Sequence, residues 1–342
     1  MADCKRILVI KLSALGDLFH AVPVVHELKN HFQCPVDWVT QPEYVNLVKC
    51  HRDVDRVIAY PRRGGVGACR AFLRELRAHR YDLVLDLQGL FKSGLSMGLA
   101  KGARKICPSS PREASHFFAH ETPLSRANTP HAMDRLLDSL RHLDLEPGNA
   151  VYPLDFPPAD PLPGTRPRLA IAPKSRWPGK DWPLESFIQC ARGVRTQVDV
   201  DVVVLGGPDD HDAGEALVKG IGERAWNLCG QTPLIQLGSQ LREVDCLLCN
   251  DSGPMHFAAA VGTPLVALFG PTDPAKTGPW GEGHTILRPP PGPGGYPDHR
   301  SYKRPGNAFI SQIPIPDVVA AVAEKLAMNL EAPPRSETSP IP

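Results

Sequence analysis

Two α/β domains in tandem, each a parallel sheet flanked by helices, are predicted by three features of this 342-residue sequence. Short apolar runs alternate with helical periodicity through the first half, the alternation restarts in the second half, and a proline-rich break lies between them. The length suits two domains that each bury a core without disulfides or metal.

Arg6-Ile-Leu-Val-Ile-Lys-Leu12 reads as a buried strand, followed by the loop Ser13-Ala-Leu-Gly16 and a helix from Asp17 to about His31. Further strands are expected at Val36 to Thr40, Arg56 to Ala59 and Leu83 to Leu87, with a helix over Ala68 to His79. Residues 1–155 form the first expected domain. Five prolines between Phe156 and Pro167 remove backbone donors and fix φ, so 156–167 is expected to be a linker. Alternation resumes with strands Arg168 to Ala172, Val200 to Leu205, Val244 to Cys249 and Leu265 to Phe269, and with helices over Leu184 to Arg195 and His256 to Val261. Helix Ile315 to Leu330 closes the second domain, 168–330. Residues 331–342 are polar and Pro-rich, which predicts a disordered tail. Pro289 to Gly295 reads as a loop. Open parallel sheets bind ligands beyond the carboxyl ends of their strands, so the chemistry is expected in those loops around an interdomain cleft.

With 38 basic and 37 acidic residues the net charge is +1, which argues against bulk attraction to nucleic acid; an anionic ligand must be met locally. The nine cysteines are odd in number and lack a disulfide framework's spacing, which fits a reducing cytoplasm. Cys246 and Cys249 fall in an apolar run and read as buried thiols rather than a redox pair. The start shows no signal-peptide pattern, and no apolar stretch reaches the ~18 residues of a membrane span. The expectation is a cytoplasmic protein, at most peripheral at a membrane. A Walker loop and a G-x-G-x-x-G are both missing, so ATPase and dinucleotide oxidoreductase readings lack support.

Asn250-Asp-Ser-Gly-Pro-Met-His256 follows a buried strand and opens a helix. Asp251 or Ser252 is a natural N-cap, Gly253 lets a ligand approach the backbone, and the helix N-terminus suits a diphosphate; a capped helix without ligand is the equal alternative. The loop Ala172 to Pro183 brings Lys174, Arg176 and Lys180 to a strand end, as phosphate cations or as solvated surface charge. Leu205-Gly-Gly-Pro-Asp-Asp-His211 offers Asp210 for ribose hydroxyls, or simply as a cap. Asp17 could accept a proton from an attacking hydroxyl, although Asp is also favoured at helix starts for its own sake. His26 and His31 are five apart and do not form a zinc pair, and the Asp53-Val-Asp55 and Asp199-Val-Asp201 triplets are not taken as metal ligands. No metal and no cofactor are expected.

Taken in order, Lys11-Leu-Ser-Ala-Leu-Gly-Asp17 with Pro23, Tyr81-Asp-Leu-Val-Leu-Asp-Leu-Gln-Gly89, Lys180-Asp-Trp-Pro183, Leu205-Gly-Gly-Pro208 and Asn250 to His256 with Phe269-Gly-Pro-Thr272 resemble the ADP-heptose:lipopolysaccharide heptosyltransferases, glycosyltransferase family 9. The resemblance spans nearly the whole chain. It implies the GT-B architecture, two Rossmann-like domains with donor bound mainly by the second and acceptor by the first. By position, Asp17 matches the family's general base, and Ser175 with Lys180 matches residues holding the donor diphosphate. Asp251, Ser252, Gly253, Pro254 and His256 match the diphosphate loop. Asp210 stands where the family has a ribose-binding Glu, and Thr232 lies near the expected adenine site. The segments Gln88 to Ser93 and Ser110 to Ala114 are similar to the type I branch, which adds the first heptose to Kdo-lipid A. Acceptor-binding candidates are then Ser13, Gly16, Arg62, Arg63, Lys92 and Arg112.

The expected function is therefore an inverting, metal-independent heptosyl transfer from ADP-heptose to the Kdo region of lipopolysaccharide, with transient contact at the inner-membrane surface. The alternatives are a related transferase using another nucleotide sugar or acceptor, and a noncatalytic nucleotide-binding protein. Activity across ADP-, GDP- and UDP-sugars separates the first; donor binding without product marks the second.

Overall fold

Strand β1 (Ile7–Ile10) is fully buried, as its unbroken apolar run requires of a strand covered on both faces. The computed structural model describes residues 4–125, 131–165, 167–297 and 309–331, which fall into two compact units dividing between Asp155 and Phe156. In the first unit β1 is joined by β2 (Val36–Thr40), β3 (Arg56–Ala59), β4 (Tyr81–Asp86) and β5 (Gly102–Ile106) in the order β3-β2-β1-β4-β5. All pairings are parallel, and Ile10 stands opposite both Val39 and Asp86, so three loops leave the sheet at one level. The helices are α1 (Leu15–Phe32), α2 (Val45–Lys49), α3 (Gly65–Leu76), α4 (Phe91–Leu99) and α5 (Ala132–Arg141). Buried Asp37 on β2 is neutralised by Arg6 at 3.0 Å and accepts from the Tyr81 hydroxyl at 2.8 Å, which explains a carboxylate inside the sheet.

The second unit has β6 (Arg168–Ala172), β7 (Asp201–Val204), β8 (Ala225–Asn227), β9 (Cys246–Asn250), β10 (Leu265–Leu268) and β11 (Thr285–Leu287), in the order β11-β10-β9-β6-β7-β8. Its helices are α6 (Leu184–Arg195), α7 (His211–Ile221), α8 (Leu234–Arg242), α9 (Gly253–Ala260), α10 (Pro274–Thr277) and α11 (Ile315–Glu331). In each sheet the first strand of the unit is central and the order reverses beside it, which is the Rossmann arrangement and its topological switch point. The expected fold class is thus present: two Rossmann-like parallel sheets of the GT-B kind.

Some boundaries differ from expectation. Helix α1 starts at Leu15, placing Asp17 within its first turn, and α9 starts at Gly253 because Pro254 supplies a helical φ from the outset. The described part of the proline-rich segment 156–167 carries neither helix nor strand and packs on the second unit: the Phe156 ring lies 5.2 Å from that of Phe257, and the Ser239 hydroxyl donates to Pro157 O. Arg166 and residues 332–342, most of the expected tail, lie outside the described residues. Cys246 and Cys249 are buried in β9 and unbridged, and burial raises the Cys249 thiol's pKa.

Candidate active site

At the switch point of the first sheet, the loop after β1 is held by the loop after β4. Gln88 Oε1 accepts from the backbone N–H groups of Leu12 and Ser13, each at 3.0 Å. Behind it, buried Asp86 accepts from Gln88 N at 2.8 Å, Gly89 N at 3.1 Å and the Ser93 hydroxyl at 2.9 Å. Burial pushes the Asp86 carboxyl up to about 6, against the lowering effect of those hydrogen bonds and of Lys11. Gly89 needs its positive φ of 70°, and a Cβ there would meet Pro108 Cγ at 2.7 Å, so glycine lets the 108–112 loop close over the turn. Arg112 N then donates to Gly89 O at 2.8 Å.

This frame supports a pocket of about 380 Å³ lined by Asp17, Lys11, His20, Gln88, Arg112 and Arg135 among others. Asp17 Oδ2 accepts from Ala14 N at 3.0 Å, so the carboxylate closes the first turn of α1 and also faces the pocket. Lys11 is buried, its Nζ donating to Leu87 O at 2.8 Å; burial lowers its pKa, opposed by Asp17 and Asp86 and reinforced by Arg112 and Arg135. Three basic side chains around one half-buried carboxylate make a pocket suited to an anionic ligand.

The structure thus groups Asp17 with Arg112 and leaves the other acceptor candidates outside that lining. Ser13 and Gly16 frame Asp17 through the backbone. Arg62 is paired with Glu43 at 2.8 Å, Arg63 is exposed, and Lys92 Nζ reaches the Gln41 side-chain oxygen at 3.3 Å when that amide is turned to suit its neighbours. Lys11, Gln88 and Ser110 fall within the sequence motifs, whereas His20 and Arg135 belong to none of them. His20 lies one turn beyond Asp17 on α1, a spacing that points to the same face. Arg135 sits on α5, the helix that carries the buried apolar stripe Met133, Leu136, Leu137 and Leu140. The refused D-x-D triplets are engaged elsewhere: Asp53 pairs with His26 at 2.7 Å, Asp55 with Lys29 at 2.8 Å, and Asp199 with Arg224 at 2.7 Å.

In the second unit, the loops after β6 and β9 meet at that sheet's switch point. Lys180 Nζ lies 2.6 Å from Asp251 Oδ2, which also accepts from the Thr272 hydroxyl at 2.6 Å. Asn250 ties the same loops together, accepting from Trp182 N at 3.1 Å and donating to Pro173 O at 2.7 Å. Ser252 is the N-cap residue of α9 by backbone conformation, yet its hydroxyl donates to Asn250 O at 3.2 Å and does not cap the helix. Gly253 and Pro254 form the start of that helix, and His256 is buried in its first turn. Ser175 N donates to Asp181 Oδ1 at 2.8 Å and its hydroxyl to Trp177 O at 2.8 Å.

Asp210 and Thr232 belong to neighbouring loops, joined where Gly230 N donates to Gly206 O at 3.0 Å. Asp210 Oδ2 accepts from Gly207 N at 2.9 Å, the capping geometry, and the Thr232 hydroxyl donates to Gln240 Oε1 at 2.8 Å.

Two Rossmann-like units, with a carboxylate in a basic pocket on one and a lysine beside a helix N-terminus on the other, have the GT-B architecture. Residues 69–293 match the model of glycosyltransferase family 9 (heptosyltransferase), well over half of the chain, and the chain belongs to that family. It is 25% identical over 287 residues to the lipopolysaccharide core heptosyltransferase OpsX of Haemophilus influenzae, covering 81% of this chain and 82% of that one. Lipopolysaccharide heptosyltransferase 1 of Pseudomonas aeruginosa is 28% identical over 305 residues, covering 82% and 83%. Among solved structures, the E. coli heptosyltransferase WaaC with ADP superposes with a TM-score of 0.78 at 22% identity, covering 94% of this chain and 99% of that one. The same enzyme with ADP-2-deoxy-2-fluoro heptose gives 0.73 at 22% identity, covering 96% and 100%.

Proposed function

We propose that this family 9 glycosyltransferase moves heptose from ADP-heptose to the Kdo region of lipopolysaccharide, with inversion at the anomeric carbon and without a metal ion. The single observation that carries the mechanism is Asp17 facing a pocket that also holds Lys11, Arg112 and Arg135. An acceptor bearing carboxylates or phosphates would be held by the cations, and its hydroxyl presented to Asp17. As the hydroxyl oxygen attacks the anomeric carbon, its proton passes to Asp17, while the bond from that carbon to the diphosphate oxygen breaks and its electron pair leaves with ADP.

The leaving diphosphate gains charge, and Lys180 with the N–H groups at Ser252 and Gly253 would stabilise it in place of a metal. Asp251 contributes in this reading by holding Lys180, since a carboxylate touching the diphosphate directly would repel it. Ser175, Pro254 and His256 shape the same loop pair, and Asp210 and Thr232 are proposed for ribose and adenine. Arg62, Arg63 and Lys92 are assigned to outlying acceptor phosphates, with Ser13 and Gly16 keeping Asp17 in place. Donor and acceptor loops belong to different units, so the reading includes a closure step that brings the ligands together. The names of the relatives, and the ADP and ADP-sugar ligands of WaaC, support donor and acceptor class. Presentation of the acceptor at the inner membrane implies transient contact there; no described helix is long and apolar enough to cross a membrane.

The donor assignment is tested by turnover with a panel of ADP-, GDP- and UDP-sugars on one acceptor. ADP-heptose should be preferred by orders of magnitude; an equal or better rate with a GDP- or UDP-sugar would replace the donor while leaving the fold and base untouched.

A further inference from the structure

Helix α4 is turned inside out relative to an ordinary surface helix. Ser93 and Ser96 face inward and are buried, bonded to Asp86 and to Lys92 O, whereas Phe91, Leu95 and Leu99 are 50%, 38% and 38% exposed. These three recur every four residues, so they form one apolar stripe about 13 Å long. Phe117, 78% exposed, extends it from the turn Ser115–Phe118, whose Phe118 ring seats against Gly94 and Gly98 of the same helix. A surface helix that hides its serines and shows its phenylalanine and leucines presents a patch that water alone does not favour.

The neighbouring helix supplies the charge. Phe72 and Leu76 of α3 share one core with Met97 of α4, which places both helices on the same face of the first sheet. The outer stripe of α3 is Val66, Arg70, Arg74 and Arg77, all exposed. An apolar ridge beside an arginine row matches a bilayer surface with anionic headgroups, where the ridge enters the acyl boundary and the guanidinium groups meet phosphates. A second copy of the chain fits less well, because a twofold contact through this small ridge brings arginine rows of like charge together.

We infer that the α3–α4 face of the first unit docks on an anionic lipid bilayer, with α4 as the inserted element. The inference rests on the lipid-linked acceptor of the proposed function and specifies how the pocket reaches it. Phe91 N donates to Glu113 Oε2 at 3.3 Å, in the same loop as Arg112, so the ridge begins at the edge of the Asp17 pocket. A sugar projecting from the headgroup layer would therefore stand near the carboxylate.

The test floats the full chain with vesicles of phosphatidylethanolamine containing roughly a quarter phosphatidylglycerol, and with pure phosphatidylcholine vesicles, neither containing acceptor. Wild type should float with the anionic vesicles. The double variant Leu95→Gln/Phe117→Gln should lose roughly tenfold or more of that partitioning, and Arg70→Gln/Arg74→Gln should lose about tenfold together with its salt sensitivity. Both variants should keep wild-type turnover on an acyl-free Kdo acceptor, which also reports that they fold. The inference is overturned if wild type does not float, if both variants float like wild type, or if wild type sediments as a dimer that Leu95→Gln/Phe117→Gln dissociates. Flotation as expected without transfer to any acceptor would retain the docking face and remove the proposed function.

Discussion

A base that receives a proton late in bond formation need not be strong in the resting enzyme, because the acceptor hydroxyl becomes acidic only as its oxygen commits to the anomeric carbon. What it needs is position, and Asp17 is held by its bond to Ala14 N and by the Gln88 amide that grips the preceding loop. Asp17→Asn preserves shape while removing the proposed proton acceptor. Turnover should fall by roughly 10²–10⁴ with donor affinity unchanged, as read by single-turnover kinetics beside ADP titration. Lys180 carries a different load. In the proposed mechanism Lys180→Ala removes the cation assigned to the diphosphate and takes the ion-pair partner from buried Asp251, so kcat should drop by about 10²–10³. A smaller loss is expected for Asp251→Asn, which keeps Lys180 charged. Rates equal to wild type in Lys180→Ala would move the diphosphate elsewhere.

Among elements, the link from α1 to the turn after α2 should show a pH dependence with a definite sign. Buried His51 donates from Nε2 to Val22 O and accepts at Nδ1 from Asp53 N, a neutral tautomer locked on both sides, and burial lowers its pKa to about 4. A depressed folded pKa means that this stability is complete above the unfolded value near 6.5 and is lost as pH falls toward 4. Between pH 7 and pH 5 the histidine should therefore cost the native state about 2 kcal/mol, and His51→Gln should flatten that part of the profile. Denaturant midpoints of the two proteins at both pH values check it; parallel profiles would contradict the assignment. At Gly89, alanine would have to hold a positive φ and clear Pro108, so Gly89→Ala should destabilise by about 1–3 kcal/mol and loosen the loop carrying Arg112.

Burial also explains which elements were legible in the sequence. Strands β2 and β6 occupy the residues expected of them, and β9 and β10 differ by a residue or two, because apolar runs bounded by turn residues mark interior strands; the edge strand β3 also falls where expected, marked by its Val57-Ile58 pair. The missed strands β5, β8 and β11 lie at sheet edges and are largely half-exposed, with sequences such as Gly-Ala-Arg-Lys-Ile that carry no apolar run. Asp17 and the Asn250 to His256 loop were legible as strand-end motifs. The gathering of His20 and Arg135 around Asp17 was not, since it depends on α5 returning to the sheet from a distant part of the chain.

For the molecule as a whole, the proposed function divides the work between two sheets with the same switch-point logic: one presents a carboxylate in a basic pocket, the other a lysine at a helix N-terminus. A net charge of +1 means that these basic groups act as local features rather than as part of a general positive field. ADP at about a hundred times its Kd should stabilise the second unit by about 2.7 kcal/mol against unfolding, an effect lost in Lys180→Ala and retained in Asp17→Asn. Thermal unfolding of the full chain with and without ADP reads this directly. The central claim is tested most directly by the mass of Kdo-lipid A after incubation with ADP-heptose and the protein in the presence of a chelator, beside Asp17→Asn. The account predicts a heptose-sized gain with wild type that disappears in the variant; an equal gain with Asp17→Asn, or no gain with wild type that still binds ADP-heptose, would contradict it.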